Sequence, residues 1–220
     1  MPKALITGAN RGIGLELCKQ LSARGDAVVA VCRRSSEALD RLGVDVIQGV
    51  DVTADAAATH LGEKVHDRSV DLLIHNAGLL ERTEFGSIDY ASLQRQWQVN
   101  AVAPVRLTEA LVSKLREGAK VALITSRMGS IADNTSGGSY GYRMSKAALN
   151  AAGKSLAHDL KPRGIAVVIL HPGFVRTQMT EQRGFMDPPE SAGLLLARID
   201  ELSLETTGRF LHANGEELPW

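Results

Sequence analysis

The sequence predicts a single α/β domain: one parallel sheet, doubly wound, with helices on both faces. Three observations predict it. Short apolar runs recur along the chain, each bounded by turn residues. Stretches with apolar residues three and four apart separate them. A glycine-rich turn joins the first run to the first helical stretch. A length of 220 residues suits one such domain with a substantial core. There is no internal repeat, low-complexity segment or second composition class.

The elements follow in order. Lys3 to Thr7 is an apolar strand, and Gly8-Ala9-Asn10-Arg11-Gly12-Ile13-Gly14 follows it. Leu15, Leu17 and Leu21 then mark a helix. Strand, glycine turn and helix open a Rossmann-type fold. Glycines let the backbone approach a phosphate, and a helix N-terminus offers it free N–H groups. Ala27 to Cys32 is the second strand. About 20 positions after the glycines an acid usually meets a ribose 2′-hydroxyl. Here stand Arg33 and Arg34, which attract a 2′-phosphate, and Arg11 is within reach of the same group. That pattern points to NADP; otherwise the arginines solvate a loop.

Val44 to Gln48 is the third strand. Asp51 and Thr53 after it either meet an adenine edge or cap a helix over 56–65. Val70 to Ile74 is the fourth strand and ends in His75-Asn76-Ala77-Gly78, where small residues permit close backbone approach. A long helix is expected over 89–116, bent at Pro104. Asn100 falls on its apolar stripe and is either a structural clasp or part of a site. Lys120 to Thr125 and Ile165 to Leu170 are further strands. Phe174 to Pro189 reads as a loop, a short lid over a sheet edge. Ser191 to Glu201 is a last helix and Arg209 to His212 a last strand.

Bulk properties exclude several function classes. Lys plus Arg number 25 and Asp plus Glu 25, which argues against phosphate-driven nucleic-acid binding. Two cysteines make no disulfide framework. No apolar run is long enough to span a bilayer. Met1-Pro2-Lys3 passes straight into a strand, so no signal peptide is expected and the cytoplasm is the expected compartment. None of the six histidines pairs at metal-ligand spacing, so no metal is assigned.

The chemistry concentrates between Leu123 and Asn150. Ser126 stands where a parallel strand ends, the edge at which open α/β sheets bind ligands. Tyr142 and Lys146 are one helical turn apart and share a face. A free tyrosine, with a pKa of about 10, is a poor base at neutral pH. A neighbouring ammonium favours the phenolate, and so does a helix N-terminus. Such a tyrosine exchanges a proton with a carbonyl or alcohol oxygen. A serine hydroxyl opposite steadies that oxygen. The hydride partner must be a nicotinamide, since no side chain donates hydride.

Taken together, Thr7-Gly8-x-x-x-Gly12-x-Gly14, Asp51, Asn76-Ala77-Gly78, Asn100, Ser126, Tyr142-x-x-x-Lys146, and Pro172-Gly173 with Thr177 resemble the short-chain dehydrogenase/reductase family over nearly the whole chain. Within it, the stretch from Gly141 to Asn150 and Thr207-Gly208-Arg209-Phe210-Leu211 are similar to a small carbonyl-reductase-like branch that includes the C-factor proteins. The resemblance implies an NADP(H)-dependent oxidoreductase acting on a small carbonyl or alcohol. It implies that Tyr142 is the acid/base, that Lys146 lowers its pKa and holds the nicotinamide ribose, and that Ser126 orients the substrate oxygen. Asn100 would hold a water in a proton relay through Lys146. Gly8, Arg11, Gly12, Ile13 and Gly14 would meet the pyrophosphate. Asp51 and Val52 would face adenine, and Asn76, Ala77 and Gly78 would line the adenosine side. Pro172, Gly173, Val175 and Thr177 would complete the cofactor contacts. A homodimer or homotetramer is implied by analogy alone. The alternative is an NADP-binding signalling or redox-sensing protein. Ser126 precedes Tyr142 by 16 positions, a few more than the family's usual spacing, which leaves Ser130 as a second candidate.

Overall fold

The computed structural model describes residues 1–220. Seven parallel strands form one sheet in the order β3-β2-β1-β4-β5-β6-β7. They are β1 (Lys3–Thr7), β2 (Ala27–Val31), β3 (Asp45–Ile47), β4 (Val70–His75), β5 (Leu115–Ile124), β6 (Ala166–His171) and β7 (Phe210–His212). The principal helices are α1 (Gly12–Ala23), a short α2 (Glu37–Asp40), α3 (Asp55–Lys64), α4 (Tyr90–Trp97), α5 (Ala103–Leu111), α6 (Tyr140–Leu160) and α7 (Pro188–Glu201). No helix is long and apolar enough to cross a membrane.

Alternation along the central strands explains the two layers. In β1, Ala4 and Ile6 face one core and Leu5 the other. The first core holds Leu17, Cys18 and Leu21 of α1 and Leu195 and Ile199 of α7. The second holds Leu61 of α3, Leu107 and Leu111 of α5, and Leu149 of α6. Side chains point to opposite faces of a strand, so a sheet covered on both sides needs apolar residues at consecutive positions. Runs such as Val167-Val168-Ile169-Leu170 meet that need, and all four are essentially buried.

Chain direction across the sheet positions the site. From β1 the chain moves outward to β2 and β3, then returns to place β4 on the other side of β1. The carboxyl ends of β1 and β4 therefore border the switch point, where open α/β sheets form a crevice. Gly8 and Asn76-Ala77-Gly78 stand there.

Three expectations change. The helix expected over 89–116 is interrupted by a π turn at Gln98–Val102 and ends at Leu111; Arg116 lies in β5 instead. Leu115 pairs with Val70 before a register shift, and Arg116, Glu117 and Gly118 are exposed, so this half of β5 carries no apolar signal. Pro188 and Pro189 belong to the first turn of α7, where a missing N–H costs nothing. Neither Asp51 nor Thr53 caps α3. Its N-cap is Ala54, without a side-chain bond, and Asp51 Oδ1 instead accepts from the Thr53 N–H and hydroxyl at 3.0 and 2.8 Å.

Candidate active site

Three buried polar side chains converge beyond the carboxyl end of β5. Tyr142 and Lys146 come from the first two turns of α6, and Ser126 from the loop that leaves β5. Each is less than a tenth exposed. The turn into α6 is set by Ser139, whose φ of +48° is a left-handed conformation uncommon outside glycine. Its N–H donates to the Thr83 carbonyl at 2.8 Å, which fastens the start of α6 to the loop after β4. Lys146 Nζ donates to the Ile124 carbonyl at 2.8 Å and lies 5.8 Å from the centre of the Tyr142 ring. Ser126 Oγ accepts from the Met128 N–H at 3.1 Å, leaving its proton free for another acceptor.

Burial dominates the titration of this group. It pushes the Tyr142 phenol up to about 12, with the Ser126 hydroxyl pulling the other way, and lowers the Lys146 ammonium to about 7. Spacing alone predicts that Lys146 draws Tyr142 toward phenolate. In this geometry burial is the largest influence on both groups, and it raises the phenol instead. Tyr142 is consequently protonated at neutral pH, the state of a proton donor.

Asn100 makes the contacts of a clasp. It is fully buried in the π turn, an irregularity common at functional sites. Its Oδ1 accepts from the Leu79 N–H and its Nδ2 donates to the Leu79 carbonyl, both at 2.8 Å, and to Ser145 Oγ at 2.9 Å. Ser145 Oγ in turn donates to the Tyr142 carbonyl at 2.8 Å. The amide thus ties the loop after Gly78 to the turn that carries Tyr142. Sequence reasoning missed two members of the surrounding network. Thr125 Oγ1 donates to Asn150 Oδ1 at 2.7 Å, and Asn150 Nδ2 is buried without a partner. Asn150 could have been noticed: it continues the Tyr142, Lys146 stripe by one more turn.

The crevice beside these residues fits a dinucleotide. Gly8 has a φ of +67°, and a Cβ there would lie 2.8 Å from Ala77 Cα. A Cβ on Gly14 would stand 2.3 Å from the Gly8 carbonyl oxygen. Bare backbone therefore lines the turn. Gly12, Ile13 and Gly14 form the first turn of α1, whose N-cap Arg11 makes no side-chain cap, so its leading N–H groups are free for an anion. Asn76 Nδ2 donates to the carbonyls of Thr7 and Gly8 at 3.1 and 3.0 Å, and the N–H groups of Asn76 and Ala77 donate to Thr7 Oγ1. Asn76 thus holds the shape of the turn.

The remaining expected residues lie in the loops after β2, β3 and β6, at the carboxyl edge of the sheet. Arg33 and Arg34 are exposed beyond β2. Asn10 Nδ2 bonds the Arg34 carbonyl at 3.0 Å, which ties the arginine loop to the glycine turn. Asp51 is held below the usual carboxylate range, first by the Thr53 N–H and hydroxyl and last by the nearby Arg33. Val52 packs on the second core. On the far wall, Pro172, Gly173 and buried Val175 follow β6. Thr177 Cγ2 lies 3.5 Å from where a Gly12 Cβ would be, and Met179 Cε 3.6 Å from that of Gly78. Arg11 turns to this wall, with Nη1 donating to Gln178 Oε1 at 2.8 Å. His75, by contrast, is structural: it is buried, its Nε2 meets Thr108 Oγ1 at 2.9 Å, and burial lowers its pKa to about 3. No group of three or more His, Cys, Asp or Glu side chains could hold a metal ion.

Known proteins resemble this chain in sequence and in fold. The sequence profile of the short chain dehydrogenase family matches residues 2–187. A 1-hydroxy-2-glutathionyl-2-methyl-3-butene dehydrogenase of a Rhodococcus species is 41% identical over the full length of both chains. The C-signal protein of Myxococcus xanthus is 47% identical over 69% of this chain and 93% of its own. Among solved structures, a carbonyl reductase of Pseudomonas aeruginosa in complex with NADP superposes over all of both chains with a TM-score of 0.88 and 33% identity. With that profile, those relatives and the seven-stranded parallel sheet, the chain belongs to the short-chain dehydrogenase/reductase family of oxidoreductases.

Proposed function

We propose that the chain is an NADP(H)-dependent carbonyl reductase or alcohol dehydrogenase for small substrates, with Tyr142 as its general acid and base. The observation that carries this reading is the convergence of buried Ser126, Tyr142 and Lys146 beside a glycine-lined crevice. A nicotinamide, when bound, supplies or accepts the hydride. The chain's own groups do the rest. Ser126 donates its free proton to the substrate oxygen and steadies the charge that develops there. Tyr142, protonated at neutral pH, gives its proton to that oxygen in reduction and recovers it in oxidation. Lys146, held against the Ile124 carbonyl, favours the phenolate whenever it is itself charged.

The first turn of α1, with Gly8, Gly12, Ile13 and Gly14, would hold the pyrophosphate, and Arg33 and Arg34 a 2′-phosphate. Asp51 and Val52 would lie along adenine, Ala77 and Gly78 along the adenosine, and Pro172, Gly173, Val175 and Thr177 along the nicotinamide end. The segment 174–187, which precedes α7, would act as a short lid. Two cross-crevice contacts support that role: Arg11 to Gln178, and Arg82 Nε to Glu181 Oε1 at 3.9 Å.

The similarity to a protein named C-signal raises a signalling reading. The complete Ser126, Tyr142 and Lys146 set favours turnover, since a sensor needs none of them. The test is NADPH consumption against a panel of aldehydes and ketones, and NADP reduction by alcohols. The panel includes a glutathione-conjugated alcohol, as the Rhodococcus relative's name suggests. Turnover with NADPH on at least one carbonyl is expected. NADPH binding with no turnover on any member would favour signalling.

A further inference from the structure

The segment after β7 reaches back to the loop that carries Ser126. The Trp220 main-chain oxygen accepts three hydrogen bonds from this loop: Ser130 Oγ at 3.2 Å, the Ile131 N–H at 3.1 Å and the Ala132 N–H at 2.9 Å. Ser130 is buried, and its Oγ also accepts from the Asp133 N–H at 3.0 Å. The second candidate serine is therefore committed to a turn and to Trp220. Arg127, next to Ser126, spans the same gap. Its Nη2 donates to Glu216 Oε1 at 2.9 Å, and its Nε lies 3.1 Å from Asp133 Oδ2.

Both partners are anchored independently. The Leu218 side chain is buried, its N–H donates to the Phe210 carbonyl at 2.9 Å, and the His212 N–H donates to the Glu216 carbonyl at 2.8 Å. The Trp220 ring lies 5.5 Å from that of fully buried Phe210. At the other side, Gly129 presses so closely on α6 that a Cβ there would lie 2.7 Å from the Lys146 carbonyl carbon. The loop is thus wedged between the helix that carries Tyr142 and Lys146 and the segment at Trp220. Arg127 and its partners are well solvated, so those ion pairs add little. The triple acceptor is the stronger fastening, because buried Ser130 would otherwise lack one partner.

We propose that the Trp220 main-chain oxygen is a positioning element of the active site. By fixing residues 130–132 it holds the Ser126 hydroxyl opposite Tyr142. This rests on the reading of Ser126 as the group that steadies the substrate oxygen. Trp220 acts through Ser126 and touches no reacting atom, so its effect must vanish when the Ser126 hydroxyl is absent.

The experiment is a double-mutant cycle on the full enzyme with NADPH and its best carbonyl substrate. A chain ending at Leu218 keeps the buried Leu218 anchor and removes the acceptor. Its kcat is expected to fall about tenfold, with NADPH affinity within about twofold of the parent. In a Ser126→Ala background the same truncation costs less than about twofold. Trp220→Phe, which keeps the main-chain oxygen and an aromatic ring, restores at least about half of the turnover. Should the truncated chain fail to fold, Ser130→Ala decides, with a loss of about threefold that is absent in the Ser126→Ala background. An unchanged kcat, or equal losses in both backgrounds, would overturn the proposal. If Ser126→Ala itself leaves kcat intact, the role assigned to Ser126 fails, and this one with it. If Ser126→Ala slows turnover while the truncation and Ser130→Ala do not, only the role of Trp220 fails.

Discussion

Gly14→Ala isolates the demand that the nucleotide crevice makes on sequence. Gly14 lies in the first turn of α1 and needs no left-handed conformation, so space alone decides the outcome. The added methyl would stand 2.3 Å from the Gly8 carbonyl oxygen and 2.5 Å from Asn76 Nδ2. Neither is the free end of a flexible chain. Gly8 sits in the turn itself, and Asn76 Nδ2 is engaged by the carbonyls of Thr7 and Gly8. Relief requires moving the turn away from the helix and giving up at least one of those bonds. Overpacking costs about 1–3 kcal/mol, and each lost hydrogen bond adds about 0.5–1.5 kcal/mol. We expect stability to fall by about 2–4 kcal/mol in urea denaturation. The displaced turn should weaken NADPH binding at least about tenfold in a fluorescence titration. Gly62→Ala is the matched control. No atom lies within 4 Å of a Cβ at that position of α3, so alanine should stabilise the helix by about 0.5–1 kcal/mol. A Gly14→Ala protein with unchanged stability and NADPH affinity would refute the account of the crevice.

Replacing Arg33 and Arg34 with Asp should weaken NADPH binding by about tenfold or more per lost charge-assisted bond while sparing NADH; equal losses for both cofactors in parallel titrations would remove the 2′-phosphate assignment. Acid should destabilise the fold through His75. Its folded pKa is lowered to about 3 by burial, so below about pH 6.5 the unfolded chain takes up a proton that the folded chain refuses. The contribution of His75 is therefore complete above pH 6.5 and declines as pH falls toward 3, reaching about 2 kcal/mol of loss at pH 5. Urea midpoints at pH 7 and pH 5 should differ less in His75→Asn than in the parent, and an identical difference would rule out His75 as the source.

Much of this was legible in the sequence, for identifiable reasons. Strands β1, β2, β4 and β6 read correctly to within one or two residues because both of their faces are buried, which makes each a continuous apolar run. Tyr142, Lys146 and Ser126 were legible because a helical spacing and a strand end fix where they point. The N-terminal half of β5 was not. Of its first four residues only Leu115 is buried, while Arg116, Glu117 and Gly118 lie in solvent, so a single apolar residue is all that marks it. The π turn was invisible because Gln98 to Val102 keeps a helical pattern while its hydrogen bonds reach one residue further. The protonation state of Tyr142 also escaped: spacing gives the nearness of Lys146, whereas desolvation depends on everything packed around the pair. Trp220 was out of reach for a different reason. Its bond to residues 130–132 is made by a main-chain oxygen some 90 positions away, and no residue type announces such a contact.

The most direct test of the central claim is the single-turnover rate of NADPH oxidation by Tyr142→Phe with a saturating carbonyl substrate. Phenylalanine keeps the ring in its buried seat and removes only the hydroxyl that carries the proton. The account predicts a loss of about 10²–10⁴-fold in that rate, with NADPH still bound. A rate within about threefold of the parent enzyme would contradict it, because the proton would then reach the substrate oxygen from another group.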